Sequence, residues 1–396
     1  MTFPADNRSL PRSMNIAEIH SNERLRQHQF PVTRRSAYFA HAGVCPIPRR
    51  VSDAIAEYAS LCVHGDQEDF TPEELIPNTR ALAARLLGVQ PDEIALVGPT
   101  SVALGLVASG LPLKPGDNVL IHFDDYPSNV YPWMALARRG VEVRSLKTAE
   151  LGRIEPDTVM DMVDSRTKLV AIASCHFVSG WRIDHATIGR ALRERGIWFC
   201  MDAIQTLGAC PVSGPDVDFI AADAHKWMLG PCGAGILYVR KELQEILQPS
   251  LLGWNNVLCP NFVAQDRIVF QPGARRYEAG SANLLGLVGL KAALELLLDV
   301  GIENIAAELR KQRERIATEL QSRAYRVLHA TAPPTNTAGI LSFYRPNVDS
   351  LTLHARLAER GIVTSLRSDR SGRFYVRLSP HFYNTDAEFQ RLFDEL

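Results

Sequence analysis

A charge imbalance is the first thing this chain lacks. Its 43 basic and 44 acidic residues leave a net charge of −1, with no basic block or stripe. Without that footprint nucleic acid is not an expected partner. Long apolar runs are missing too. The most apolar stretch, residues 284–300, is broken by Lys291 and Glu295, so it reads as a buried helix and no membrane partner is expected. The first residues are polar, are broken by Pro4 and Pro11, and hold no apolar signal core, so secretion is not expected. Cysteine is dispersed: seven residues, at 45, 62, 175, 200, 210, 232 and 259, with no C-x-x-C and no metal-ligand spacing. An odd, scattered set reads as reduced thiols in a cytoplasmic protein, with no metal site. A dinucleotide fingerprint is also absent. The one glycine cluster, residues 230–235, precedes a strand-like run, whereas that motif opens a helix.

What is present is the composition of a globular protein, 46% hydrophobic and 22% charged, over 396 residues, enough for two domains. Apolar periodicity predicts helices over 48–62 and 71–87, the second closed by Gly88. Strands are predicted at 94–97, 118–122, 141–146, 169–173, 196–202 and 234–239, with helices between most of them. That alternation predicts an α/β fold with a mostly parallel sheet flanked by helices. A smaller C-terminal α/β domain follows, with strands at 339–343 and 372–379. The expected layout is an N-terminal arm over 1–30 packing with the small domain, a large domain over 31–288 and the small domain over 289–396.

In such sheets ligands bind beyond the carboxyl ends of the strands. Thr100, Tyr126, Ser174, Asp202 and Lys226 all fall at or just after a strand end. Gly98-Pro99-Thr100-Ser101, between a strand and a helix, is a ready anion site, because free N–H groups and the helix dipole face the ligand there. Lys226 follows an apolar strand, and burying an unpaired ammonium is costly. A Schiff-base lysine solves that problem, since a lowered pKa is useful to it. Asp202 ends another strand, with Gln205 three residues on. A carboxylate against a pyridinium nitrogen plus a lysine Schiff base is the pair that pyridoxal 5'-phosphate (PLP) needs. The bland alternative makes Asp202 a helix cap and Lys226 a surface lysine.

The motifs around these residues resemble the class V aminotransferase family of PLP enzymes (fold type I), which includes cysteine desulfurases, isopenicillin-N epimerase-like proteins and kynureninases. Asp202-Ala-Ile-Gln205 is similar to its D-x-x-Q, and Asp223-Ala-His225-Lys226-Trp227 to its [SD]-G-H-K-[WLY]. The turn at 230–235 is similar to its G-P-x-G-x-G, and the resemblance runs from about Tyr38 to Thr385. It implies that Lys226 holds the cofactor and moves the Cα proton, and that Asp202 pairs with the ring nitrogen. Thr100, Ser101 and His225 would hold the phosphate, Gln205 the ring hydroxyl oxygen, and Tyr126 would stack on the ring.

On the substrate side Arg377, in a stretch similar to R-x-S-x-x-x-Y-N-T, is implied to bind the α-carboxylate of an amino acid. Asn129, His176 and His41 are candidate substrate contacts. Their alternatives are a loop cap, a histidine bonded to backbone and a turn histidine facing solvent. Ser281, in a stretch similar to R-[FY]-E-x-G-[ST]-x-N, is implied to complete the site of a neighbouring copy in a homodimer. Which bond at Cα breaks is not written in the sequence. Transamination is placed first because it needs no extra residues, with a C–S or other β-lyase next, and epimerisation and decarboxylation open. A non-catalytic PLP-binding regulatory subunit is the alternative of another class. A persulfide-type cysteine desulfurase is not expected, because residues 361–373, before Arg377, hold no cysteine nucleophile.

Overall fold

The computed structural model describes residues 15–396. A seven-stranded sheet runs in the order β2-β8-β7-β6-β5-β3-β4. Its strands are β2 (Ile94–Val97), β3 (Asn118–Ile121), β4 (Glu142–Ser145), β5 (Thr167–Ala173), β6 (Trp198–Asp202), β7 (Phe219–Asp223) and β8 (Gly235–Val239). Only β8 runs against its neighbours; every other pairing is parallel. Strands of a mostly parallel sheet are covered on both faces and so are apolar throughout. Here Val170, Ile172, Phe199, Met201 and Ile220 join one buried cluster, and Leu169, Ala171, Cys200, Phe219 and Ala221 join the other.

A second sheet has the order β12-β13-β10-β9, with β9 (Arg326–Val327), β10 (Leu341–Tyr344), β12 (Ser365–Ser368) and β13 (Phe374–Leu378), all antiparallel. β1 (Ala37–Tyr38) pairs in parallel with β11 (Ile362–Val363). This sheet has its own buried cluster, with Phe39, Ile316, Leu320, Phe343, Val376 and Phe389 among its members. The helix Leu284–Val300 does not belong to it. Leu287, Leu290, Leu294 and Leu297 pack in the large sheet's cluster. The boundary expected at 289 therefore falls inside a helix of the larger unit.

Residues 1–14 of the expected N-terminal arm lie outside the described residues. The rest of it forms two short helices, Ile16–Ser21 and Glu23–Gln29. They dock on the C-terminal segment: the Arg26 guanidinium bonds Glu388 at 2.9 Å, and Phe30 stacks on Tyr383 at 4.0 Å. No helix among the described residues is long and apolar enough to cross a membrane.

Candidate functional site

The parallel strands point their carboxyl ends at one cavity of about 280 Å³. β7 delivers Lys226 to it. After Asp223 the chain turns back on itself, with the Ala224 N–H bonded to Ala234 O and the Gly230 N–H to Ala224 O. That tight return leaves Lys226 lining the cavity with 7% of its surface exposed. Burial pushes the amine down to about 8, against the pull of Asp202; the Arg377 and Arg367 charges push the same way as burial. β6 ends in Asp202, whose carboxylate accepts the Ile204 N–H at 3.0 Å. Burial drives its pKa up to about 6, opposed by that N–H and by Lys226. Its other oxygen has no partner among the described residues, and Asp202 lines the cavity.

The remaining walls come from the turns expected to supply them. The helix Thr100–Gly110 starts at the cavity with Pro99 at its N-cap and no side-chain cap. Its first N–H groups are therefore left for an anion. The Ser101 hydroxyl lies 2.9 Å from that of Ser128, and both residues line the cavity. Thr100 lines it too, but its hydroxyl oxygen also accepts the Asp223 N–H at 2.9 Å, which ties the helix start to the end of β7. His225 Nδ1 sits 2.9 Å from the Asp223 carboxylate. Gln205 is oriented by two bonds. Its oxygen accepts the Trp227 indole N–H at 3.0 Å, and its amide nitrogen donates to Ala42 O at 3.2 Å. The second amide proton remains to donate to a ring oxygen. The Tyr126 ring centre lies 5.2 Å from Lys226 Nζ.

Arg377 reaches the cavity from the smaller sheet. It is buried on β13 and donates to Phe177 O at 2.6 Å and to the Ser365 hydroxyl at 3.3 Å. Its Nε has no partner among the described residues. A buried cation without an acid is costly. Burial, with Arg367 second, pulls its pKa down to about 9.

Three expected substrate contacts do not line this cavity. His41 is fully buried, with its ring between Ser379 O at 2.9 Å and the Tyr383 hydroxyl at 2.6 Å, and it does not line the cavity. Asn129 spends its amide on Asp125, at 3.0 Å, and on the Trp133 indole, also at 3.0 Å. His176 bonds Asp124 O at 3.0 Å and accepts the Ser179 N–H at 3.1 Å, and burial pushes its pKa down to about 3. Their neighbours Ala42, Ser128 and Phe177 face the cavity instead. Ser281 lines a second, larger cavity of about 870 Å³, which shares the turn at 98–102 with the first. Two residues were not foreseen. Arg367 lines the cavity from β12. Asp125 is buried and grips the end of β5 through the Ala173 N–H at 2.9 Å; burial, with Asp202 second, raises it to about 7. An acid in the turn after β3, just before Tyr126-Pro127, was the available signal for it.

A buried strand-edge lysine, a strand-edge carboxylate with a spare oxygen and an uncapped helix start around one small cavity define a PLP site. The chain belongs to the class V aminotransferase family, whose model matches residues 37–392, and its cofactor is PLP. A probable cysteine desulfurase of Methanothermobacter thermautotrophicus is 30% identical over 93% of this chain and 96% of its own. A solved cysteine desulfurase from Thermococcus onnurineus NA1 superposes with a TM-score of 0.86 at 23% identity, covering 96% of this chain and 97% of that one. A solved complex of the cystine C–S lyase C-DES with its product cysteine persulfide gives a TM-score of 0.84 at 22% identity, over 92% and 98%.

Proposed function

We propose that this enzyme works at the α-carbon of a small α-amino acid, first by transamination. The observation that carries the reading is that Lys226, Asp202 and Arg377 share one small cavity, with no thiol lining it among the described residues. PLP, when bound, supplies an electron-withdrawing ring that makes the bonds at Cα breakable. The spare Asp202 oxygen would meet the ring nitrogen, and an acid whose pKa burial has raised is relieved by a cation there. The Thr100 and Ser101 N–H groups with His225 would hold the phosphate, Gln205 the ring oxygen, and Tyr126 would flank the ring. Arg377 would take the α-carboxylate, and its buried, unpaired charge supports that role. Lys226, with its pKa near 8, would hold the cofactor covalently and carry the proton to and from Cα.

Transamination stands first because it asks only for a lysine that moves a proton and an arginine that fixes the carboxylate. A C–S lyase reaction is the second reading, favoured by the relatives and structural neighbours that act on cysteine and cystine. A persulfide relay on the protein is not supported. Residues 365–378 form a tight hairpin of β12 and β13, closed by Asp369 accepting the Ser371 and Arg373 N–H groups, and none of its residues is a cysteine. The seven free cysteines agree with a reducing cytoplasm. The active unit is proposed to be a homodimer. The cavity at Ser281 and the exposed Val102, Leu251, Leu252 and Trp254 support a second copy on that face.

The test is a panel of amino acids given to the PLP-loaded protein with a keto-acid acceptor. Amino transfer without ammonia release supports the first reading. Ammonia with pyruvate and sulfide from cysteine moves the lyase ahead. A protein-bound persulfide after cysteine would overturn the exclusion of the relay.

A further inference from the structure

We propose that Arg367 is a second anion-binding residue, so that the substrate is an α-amino acid with a short side chain ending in an acid, a carboxylate or a sulfinate. The proposal rests on the amino-acid reading above. Four basic side chains line the cavity, Lys226, His225, Arg377 and Arg367, against one acid, Asp202. Asp202 is accounted for by the ring nitrogen and Lys226 by the cofactor. His225 has Asp223 and the phosphate end. Two guanidiniums are left, and neither forms an ion pair with an acid among the described residues. An amino acid with a single carboxylate engages one of them and leaves the other uncompensated.

The strand register separates the two positions. Arg377 lies opposite Ser365, whose hydroxyl it holds, and Arg367 lies opposite Tyr375. Ser365 and Arg367 are two residues apart on β12 and share a face, so Arg367 stands roughly 7 Å further along the hairpin. That places it beside the Arg377 carboxylate site as a further site, rather than as another donor to the same carboxylate. The only side-chain hydrogen bond of Arg367 among the described residues goes to the neighbouring Leu366 O, at 2.7 Å, so the rest of the fork is available. Arg370, three residues on, is occupied by Asp124 and Phe123 O. Burial lowers the Arg367 pKa, and the charge of Arg367 in turn lowers that of Arg377, so both guanidiniums favour a dianionic ligand. The cavity is small, about 280 Å³, which agrees with a short side chain.

The experiment titrates the PLP-loaded protein with L-aspartate, L-cysteine sulfinate and L-alanine, following the cofactor absorbance in wild type, Arg367→Gln and Arg377→Gln. Wild type should bind one of the two acidic amino acids at least about tenfold more tightly than alanine, the effect of one charge-assisted bond. The better acid names the side-chain group. Arg367→Gln should erase most of that ratio, whereas Arg377→Gln should weaken all three ligands together. Succinate should raise the melting temperature of the wild-type protein more than acetate does, and Arg367→Gln should abolish the difference. Equal loss of aspartate and alanine affinity in Arg367→Gln would overturn the proposal, as would loss of cofactor affinity. If no amino acid perturbs the absorbance but succinate still discriminates, the amino-acid reading fails while the anion pair stands. If neither responds, both fail.

Discussion

The two walls of the cavity are built differently. One is the carboxyl edge of the large sheet, where Asp202 and Lys226 hang from parallel strands covered on both faces. The other is the β12–β13 hairpin, which brings Arg377 from a buried strand and Arg367 and Arg370 from its more exposed end. The first wall has little freedom, and every group proposed to touch the cofactor is on it or on turns tied to it. The second is buried at Arg377 but ends in a tip held by exposed contacts of Arg370, and the groups proposed to choose the substrate sit there. Chemistry on the rigid wall and selection on the adjustable one is the division this family fold permits, since one sheet can be kept while a hairpin changes.

The largest effect should come from the rigid wall. Lys226→Ala should lower turnover by at least about a thousandfold, the upper range for losing a positioned proton carrier, and borohydride should no longer fix the cofactor to the protein. Mass spectrometry of the reduced, digested protein checks it, and a fixed cofactor on another lysine would move the site. Asp202→Asn should keep cofactor binding and cost about two to three orders of magnitude in turnover, as for one preorganised charge partner. It should also change the pH dependence of cofactor-free stability. Asp202 is raised to about 6 in the fold, so its contribution is full below the unfolded value near 4 and is lost as pH rises through 6. Asp125, raised to about 7, extends that window, whereas Lys226, lowered to about 8, adds stability only as pH rises from there toward its unfolded value. Buried histidines such as His176, whose pKa burial lowers to about 3, pull the other way in wild type and variant alike, so the check is the difference: the melting-temperature advantage of cofactor-free wild type over Asp202→Asn should shrink as pH rises from 4.5 to 7.5.

The seam between the walls should respond more moderately. Gly339, just before β10, packs against Trp227, and a Cβ there would stand 2.2 Å from the indole ring. Trp227 in turn holds the Gln205 amide. Gly339→Ala should destabilise the fold by about 1–3 kcal/mol through overpacking and weaken cofactor affinity with it. Chemical denaturation measures the first part. An unchanged midpoint would mean that the small sheet yields freely at this seam.

The two walls also differed in how much of them the sequence disclosed. Parallel strands buried on both faces are near-continuous apolar runs, so their ends at Val97, Ala173 and Asp202 could be located and the turns beyond them expected at one edge. A strand end fixes the edge but not the direction a side chain takes after it. That is why His41, Asn129 and His176 sit in turns at the cavity edge yet point into bonds with other residues of the fold. The hairpin was harder to see. Residues 361–373 read as a loop, because β11 has two residues and β12 only four, ending in the charged turn at Asp369. Missing that strand hid the alternation that puts Ser365 and Arg367 on the Arg377 side.

The smallest effect is expected at the hairpin tip, and it tests whether the second wall is adjustable at all. Arg370 pairs with the Asp124 carboxylate, donates to Phe123 O at 2.6 Å and lies over the Phe123 ring at 4.2 Å. These contacts fasten the hairpin to the loop that leaves β3 for Tyr126. The pair is exposed, with side-chain accessibilities of 60% and 36%, so water and salt screen it. Arg370→Gln should therefore cost less than about 1 kcal/mol of stability. It leaves Lys226 and Asp202 untouched, so kcat should hold within about twofold while KM rises about two- to fivefold, matching the loss of a fraction of a kcal/mol of positioning. Raising the ionic strength should shrink the difference between wild type and variant, because screening removes from wild type what the substitution removes from the variant. A fall in kcat of tenfold or more would mean that the hairpin shares in the chemistry, and the division between the two walls would then be wrong.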